Sequence, residues 1–258
     1  MGDVSRPVAV ITGGRRGIGF ASAIALAGCG FDIVLTGIDD PKPGDSVLDD
    51  LNALGARAIY TKSDLSDVST HRRTVETIVS QFGRIDCLVN NAGMASVVRG
   101  DFLDLTPENF DAIIATNLRG TVFFTQAVVK SMLETAGTKT VRSVINITSV
   151  SASLSSPERL DYCISKAGLS TFSKGLALRL ADCGIGVFEI RPGIIRTEMT
   201  AHVAEKYDQL IADGLVPMKR WGEVADVGAI VSALASRSFS FATGSVIDAD
   251  GGLSIARL

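Results

Sequence analysis

The chain has 258 residues, with 25 Lys and Arg against 28 Asp and Glu, for a formal charge of −3 at pH 7. At this length roughly 70% of the extended chain's surface is buried on folding, which supports one large core without disulfides or metals. Its 46% hydrophobic and 21% charged residues exclude disorder, and the near-neutral balance gives no electrostatic reason to expect nucleic acid as a partner.

The segment Met1–Arg6 runs straight into a strand and lacks the apolar core of a signal peptide. Pro7–Thr12 reads as that strand, and it ends in Thr12-Gly13-Gly14-Arg15-Arg16-Gly17-Ile18-Gly19, where the helix Gly17–Cys29 opens. Strand, glycine-rich turn and helix bring backbone N–H groups up to a pyrophosphate at a helix N-terminus, and glycine is needed where a side chain would block that approach. Phe31–Thr36 is the second strand, followed by the Pro/Gly-rich connection Asp39–Asp45. Arg57–Thr61, the third, leads into Asp64-Leu65 and the helix Val68–Phe82. Ile85–Val89, the fourth, opens onto Asn90-Asn91-Ala92-Gly93, and Asn117 stands just before the helix Leu118–Thr135. Arg142–Thr148, the fifth, delivers Ser149, and the helix Leu160–Asp182 carries Tyr162 and Lys166 in its first turns. Gly186–Arg191 is the sixth strand. After it the long excursion Gly193–Gly222, with a polar helix near Ala201–Asp213 and a turn at Pro217, reads as a lid over about residues 194–220 or as a decorative surface helix. The helix Val224–Ser236, the strand Ser245–Asp248 and Asp250-Gly251-Gly252 complete the chain.

Apolar strands alternating with amphipathic helices predict an α/β fold, a doubly wound Rossmann domain whose seven-stranded parallel sheet has helices on both faces. Even spacing leaves no boundary for a second domain, so residues 1–258 are expected to form one unit. Cys29, Cys87, Cys163 and Cys183 show no metal or C-x-x-C spacing and read as buried or inert thiols. His71 and His202 lack ligand-spaced neighbours, so no metal site is expected, and no G-x-S-x-G elbow points to a hydrolase. No apolar run approaches the ~20 residues that span a bilayer. The expectation is a soluble, cytoplasmic protein with no membrane partner.

Tyr162 and Lys166 lie four residues apart, which places them about 6 Å apart along one helix face. A lysine there favours the phenolate of a tyrosine whose ordinary pKa is near 10. With the surrounding motifs in register, the chain resembles the short-chain dehydrogenase/reductase family over nearly its whole length. The resemblance implies a nicotinamide coenzyme, NADP by preference and NAD as the alternative. It is implied to sit against Gly13, Arg15, Arg16, Gly17, Ile18 and Gly19 of the glycine loop, Asp64 and Leu65 at the adenine, and Asn91, Ala92 and Gly93 after the fourth strand. Pro192, Gly193, Ile195 and Thr197 would flank the nicotinamide, with Tyr162 and Lys166 at its ribose. The implied catalytic residues are Asn117, Ser149, Tyr162 and Lys166. Tyr162 would be the acid/base, Lys166 would lower its pKa, Ser149 would bind the substrate oxygen, and Asn117 would anchor a water chain to Lys166.

Within the family the chain is most similar to 3-oxoacyl-(acyl-carrier-protein) reductases, which implies a small-molecule or acyl-thioester carbonyl substrate and a homotetramer, with a dimer as the fallback. Arg99, Arg119, Lys219 and Arg220 are candidates to meet an acidic carrier protein. A secondary alcohol, sugar or polyol dehydrogenase is the alternative, and a coenzyme-binding regulator a more distant one. Val187-Phe188-Glu189-Ile190-Arg191 departs from the usual V-N pattern, and Arg191 there is expected to pair near Glu189 or reach a substrate. Ser151 competes with Ser149 for the catalytic label, but only Ser149 closes the strand. Glu158, Arg159 and Asp161 are expected on a solvated face or at a subunit contact. No carboxylate stands at the end of the second strand, where Gly37 is found, so Arg16, with Arg15 beside it, is expected to favour NADPH; Asp39 and Asp40 are expected to point into solvent. In the lid, Met199, Tyr207 and Leu210 are expected as apolar lining and Glu198, Glu205 and Asp208 towards solvent.

Overall fold

The computed structural model describes residues 6–41, 44–135, 141–201 and 203–257. Seven strands, β1 (Val8–Thr12), β2 (Asp32–Gly37), β3 (Ala58–Lys62), β4 (Cys87–Asn90), β5 (Arg142–Ile147), β6 (Ile185–Pro192) and β7 (Val246–Ala249), pair in the order β3-β2-β1-β4-β5-β6-β7. Every pairing is parallel, with Val10 opposite Val34 and Leu88, and Ile147 opposite Ile190. Alternate strand residues enter two different cores because a strand's side chains point to opposite faces. On one face Ala9, Ile11, Ile33 and Leu35 pack against Ala23 and Leu26 of α1 (Gly17–Gly28) and Val227 and Val231 of α9 (Val224–Leu234). On the other, Val8, Val10, Val34 and Val144 meet Ile78 of α3 (His71–Phe82), Phe124 and Val128 of α5 (Thr121–Glu134) and Leu180 of α6 (Leu160–Leu180). The chain reverses its direction of sheet growth between β1 and β4, and the loops at the carboxyl ends of those strands open the crevice in which such folds bind ligands.

The seven expected strands are all present, displaced at their ends by one or two residues. Among the described helices of seven residues or more, two escaped the sequence reading. The seven-residue α2 (Val47–Ala53) follows the Pro/Gly-rich connection and buries only Leu51, too little for a clear periodic signal. The helix expected to begin at Leu118 starts eleven residues earlier: Thr106 caps α4 (Pro107–Ile113) by accepting from the Asn109 N–H at 3.3 Å, with Pro107 in the first turn. Between α4 and α5 the chain takes a π-helical turn, Ile114–Gly120. The continuous helix Pro107–Glu134 is long and apolar enough by length and composition to cross a membrane. This corrects the sequence expectation, which counted only unbroken apolar runs, although the helix serves here as a layer against the sheet, with Phe124 and Val128 in its core.

At the amino end of the sheet a buried charge knot fastens three strands. Asp86, fully buried, accepts from the Val8 N–H at 2.9 Å and pairs with Arg84. Arg142 approaches the same carboxylate at 3.8 Å and donates to the Met132 and Thr135 carbonyls, which closes the end of α5. Cys87 and Cys163 are buried as expected, but Cys29, in the turn after α1, is exposed. His202 and Met1–Ser5 lie outside the described residues.

Candidate active site

The glycine loop between β1 and α1 is shaped to receive an anion. Gly13 and Gly17 take positive φ of 61° and 55°, a region that favours glycine. A Cβ on Gly19 would collide with the Gly13 carbonyl oxygen, and one on Gly13 would stand 3.0 Å from Ala92 Cα. No side chain caps α1 at Arg16, so the first N–H groups of the helix remain available to a phosphate. The loop is braced from β4. Thr12 Oγ1 accepts from the Asn91 and Ala92 N–H groups at 3.0 Å each, and Asn91 Nδ2 donates to the Thr12 and Gly13 carbonyls at 3.0 and 3.1 Å. Thus Gly13, Gly17, Ile18, Gly19, Asn91 and Ala92 form one surface, while Gly93 lies against Asn117 Oδ1 and Lys166 Nζ. Asp64, held by Ser66, and the buried Leu65 close the β3 side. Thr197 faces Gly17, Ile195 bridges to Gly222, and Gly193 packs on Asp250 beside Pro192. These residues fit a dinucleotide: the glycines leave a cradle that a Cβ would fill.

The four expected catalytic side chains converge beside this cradle. Ser149 caps the short turn after β5, its Oγ accepting from the Ser151 N–H at 3.1 Å, and its hydroxyl acts on the Tyr162 phenol to lower its pKa. Ser151 is not the serine that reaches this phenol. Lys166 Nζ lies 5.7 Å from the centre of the Tyr162 ring and donates to the Ile147 carbonyl at 3.1 Å. Asn117 sits inside the π-helical turn, a device common at functional sites. Its Oδ1 accepts from the Met94 N–H at 2.8 Å, and its Nδ2 donates to the Met94 carbonyl at 2.9 Å and to Ser165 Oγ at 3.3 Å. Gly120 ends the turn where a Cβ would run into the Leu65 carbonyl.

Burial raises the pKa of the Tyr162 phenol above its ordinary value, against the pull of Ser149, Arg159 and Arg99. Burial also lowers Lys166, to about 8, with Glu189 opposing the fall. Two cations absent from the expected site therefore act on the phenol. The half-buried Arg159 guanidinium lies 5.6 Å from the Tyr162 ring centre, while Glu158 is exposed as expected. Asp161, expected on a solvated face or at a subunit contact, is instead buried, accepting from Ser96 Oγ at 2.6 Å and from the Tyr162 N–H at 2.7 Å, so it ties the loop after β4 to the start of α6. The charge run before Tyr162 was visible in the sequence; the inward direction of Asp161 was not.

The adenosine end carries two arginines with acidic partners. Arg15 pairs with Asp45, donates to the Asp39 and Asp40 carbonyls at 3.0 and 3.1 Å and lies 5.3 Å from the Tyr60 ring centre. The hydrogen bond from Arg15 lowers the pKa of Asp45. Arg16 pairs at 2.7 Å with Glu198, the first residue of α7 (Glu198–Ala201). Asp39 and Asp40 are exposed as expected, although the Asp40 carboxylate meets Lys62 at 2.8 Å. In the expected lid, α8 (Ala204–Ala212) packs through Ile211 on Val216 and Trp221. Tyr207 meets Trp221 edge-on at 5.7 Å, and Asp208 accepts from Trp221 Nε1 at 2.6 Å. Glu198, Glu205 and Asp208 are exposed as expected, Glu198 and Asp208 while also holding these partners, whereas Met199 is largely exposed instead of lining a wall.

Residues 13–254 match the family model described as enoyl-(acyl carrier protein) reductase. The chain is 33% identical over 255 residues to a 3-oxoacyl-[acyl-carrier-protein] reductase of Synechocystis, covering 98% of this chain and 99% of that one. A 3-oxoacyl-[acyl-carrier protein] reductase of Brucella melitensis, solved in complex with NAD, is 62% identical over 99% of this chain and all of the other, with a TM-score of 0.95. A chain from Agrobacterium tumefaciens solved with bound NADP is 27% identical over 97% of each, with a TM-score of 0.85. With its parallel sheet, glycine cradle and Tyr162–Lys166 pair, the protein belongs to the short-chain dehydrogenase/reductase family.

Proposed function

We propose that this protein interconverts a carbonyl and a secondary alcohol by NAD(P)-linked hydride transfer, with a 3-oxoacyl thioester as substrate. The observation that carries the reading is the meeting of Ser149, Tyr162 and Lys166 beside the glycine cradle, with Asn117 buttressing Lys166 through Gly93. When bound, the nicotinamide supplies the hydride in reduction and accepts it in oxidation. Gly13, Gly17, Ile18 and Gly19 would hold its phosphates, Asp64 and Leu65 its adenine end, Asn91, Ala92 and Gly93 its middle, and Pro192, Gly193, Ile195 and Thr197 its nicotinamide end.

Ser149 positions the substrate oxygen where negative charge develops. Tyr162 delivers a proton to that oxygen in reduction and removes it in oxidation, which fits a general acid/base. The Lys166 ammonium stands 5.7 Å from the Tyr162 ring centre, and its charged form favours the phenolate. Asn117 fixes the Met94 backbone and the shelf beneath Gly93, leaving Lys166 a route for proton supply.

NADPH is read as the preferred coenzyme. The Arg16–Glu198 pair is exposed on both sides, 75% and 73%, and such pairs contribute about 0–1 kcal/mol. A charge-assisted bond from Arg16 to a 2′-phosphate contributes about 1.5–3 kcal/mol and displaces Glu198. Arg15 stays with Asp45 as the floor of the ribose site. The assembly is read as a homotetramer, because α5 and α6 turn Phe123, Ile164 and Leu178 outwards, and apolar outer faces on such helices call for cover. The protein is further read as one cytoplasmic domain with a lid over about residues 194–220.

Coenzyme absorbance assays with free 3-oxoacyl thioesters, carrier-bound thioesters, polyols and simple secondary alcohols test this reading. Turnover of thioesters ahead of polyols supports it, and polyol oxidation alone would replace the substrate assignment. Arg99 and Lys219 are the exposed cations left for an acidic carrier, whereas Arg119 is engaged by the Ser66 carbonyl and Arg220 by Asp226.

A further inference from the structure

Two loops beside Tyr162 are fastened into one wall. The Gly100 N–H donates to the Glu158 carbonyl at 3.2 Å, and Ser96 Oγ donates to Asp161 at 2.6 Å. These bonds hold the loop after β4, which carries the exposed Arg99, against the turn Pro157–Arg159 that leads into α6. Arg159 is half-buried there, with its guanidinium carbon 5.6 Å from the centre of the Tyr162 ring. The acids next to it in sequence do not answer its charge. Glu158 is exposed, and Asp161 accepts from Ser96 and from the Tyr162 N–H. Among the described residues, neither Arg159 nor Arg99 forms an ion pair, whereas Arg15, Arg16, Arg191 and Arg220 are each met by a carboxylate. A guanidinium stays charged at any working pH, and one partly removed from water favours an anionic partner.

We propose that Arg159, with Arg99 on the loop bonded to its turn, is a carboxylate site of the substrate pocket, and that the protein thereby acts on free oxo and hydroxy acids in addition to thioesters. The guanidinium is a planar fork that matches a carboxylate through two parallel hydrogen bonds. Its place beside Tyr162 sets the class of acid. The oxygen that meets the phenol and the carboxylate that meets Arg159 must belong to one small molecule, so the carboxylate lies one or two carbons from the reacting carbon. Val97 and Val98, exposed on the same loop, offer apolar contact to a short chain. A 3-oxoacyl thioester presents a neutral carbonyl oxygen at the corresponding position, which accepts an ordinary hydrogen bond, whereas the free acid gains a charge-assisted one. The carboxylate itself is unchanged by the reaction. In oxidation the carbinol carbon gives its hydride to NAD(P)+, the hydroxyl proton passes to Tyr162, and the C–O single bond becomes the carbonyl.

The proposal rests on the carbonyl–alcohol chemistry proposed above, so one arm of its test needs no turnover. In the full-length protein saturated with NADP+ or NAD+ no hydride is available, and acetoacetate and methyl acetoacetate bind without reacting. Calorimetry is expected to give acetoacetate the lower Kd by roughly ten- to hundredfold, the value of one charge-assisted contact, and R159Q is expected to remove most of that advantage. The second arm compares kcat/KM for oxidation of 3-hydroxybutyrate and of its methyl ester. The acid-to-ester ratio should fall by a similar factor in R159Q, and by less in R99Q and in R159K, which keeps the charge but not the fork. An arginine that only tuned Tyr162 would slow acid and ester alike and leave both ratios unchanged. Acetoacetate bound no more tightly than its ester by wild type, or ratios unchanged in R159Q, overturn the proposal; if R159Q does not fold, unchanged ratios in R159K overturn it. A binding preference lost in R159Q, in a wild type that turns over no carbonyl or alcohol, would instead remove the reaction and leave the carboxylate site standing. Thioester turnover without any preference for the acid would remove the site and leave the reaction.

Discussion

Arg16 and Glu198, 182 positions apart in sequence, meet in a 2.7 Å ion pair that ties the glycine loop to the first turn after β6. The pair couples the adenosine end of the cradle to the segment expected to close over the nicotinamide. In R16A, the ratio of kcat/KM for NADPH over NADH is expected to fall by roughly tenfold or more, the value of one charge-assisted bond. In E198Q, the same ratio is expected to rise, because Arg16 no longer has a competing partner. Steady-state constants with both coenzymes check the pair of variants, and an unchanged ratio in R16A removes Arg16 from coenzyme choice.

Replacing Tyr162 by Phe is expected to lower kcat by roughly 10²–10⁴-fold, the usual contribution of a lost acid/base. Coenzyme affinity should change little, because the ring that shapes the pocket remains. Lys166→Ala should harm both rate and coenzyme binding, since it removes a charge and a ligand together. Equilibrium titration of coenzyme fluorescence separates the two patterns.

The charge knot at the foot of the sheet makes a stability prediction without a catalytic one. Asp86→Ala strips the Val8 N–H and two arginines of their common acceptor. Breaking one side of a buried pair costs about 3–5 kcal/mol. The denaturant midpoint should fall accordingly, while the NADPH-to-NADH ratio of the folded fraction stays unchanged.

Light scattering is expected to give four times the 27.0 kDa chain mass. Phe123→Glu, on the outward face of α5, should reduce it to a smaller species. A wild type that runs as a monomer defeats the tetramer reading.

The candidate site was legible through the family resemblance, since Tyr162 and Lys166 one helical turn apart are a weak signal alone and Ser149 was singled out by its place at the end of a strand thirteen residues before Tyr162. The glycine loop could be read more directly, and a Cβ on Gly19 would indeed meet the Gly13 carbonyl. The π-helical turn around Asn117 was hidden, because its composition is that of an ordinary helix. At its end Gly120 stands where a Cβ would meet the Leu65 carbonyl, a contact between remote segments. Pairings between remote segments were hidden for the same reason. Nothing within the sequence of residues 194–220 announces that Asp208 binds Trp221 Nε1 or that Glu198 answers Arg16. The inward turn of Asp161 and the burial of Glu189 were visible only as departures from an expected pattern, without a direction.

Tyr162 is expected to protonate a carbonyl oxygen as hydride reaches its carbon. Reduction of a 3-oxoacyl thioester with 4-deuterated coenzyme, followed by mass spectrometry of the product, measures both events together. Wild type should yield the 3-hydroxyacyl thioester with one deuterium on the former carbonyl carbon, and Tyr162→Phe should yield almost none. Unlabelled product, or labelled product formed at the wild-type rate by the Phe variant, would contradict the account.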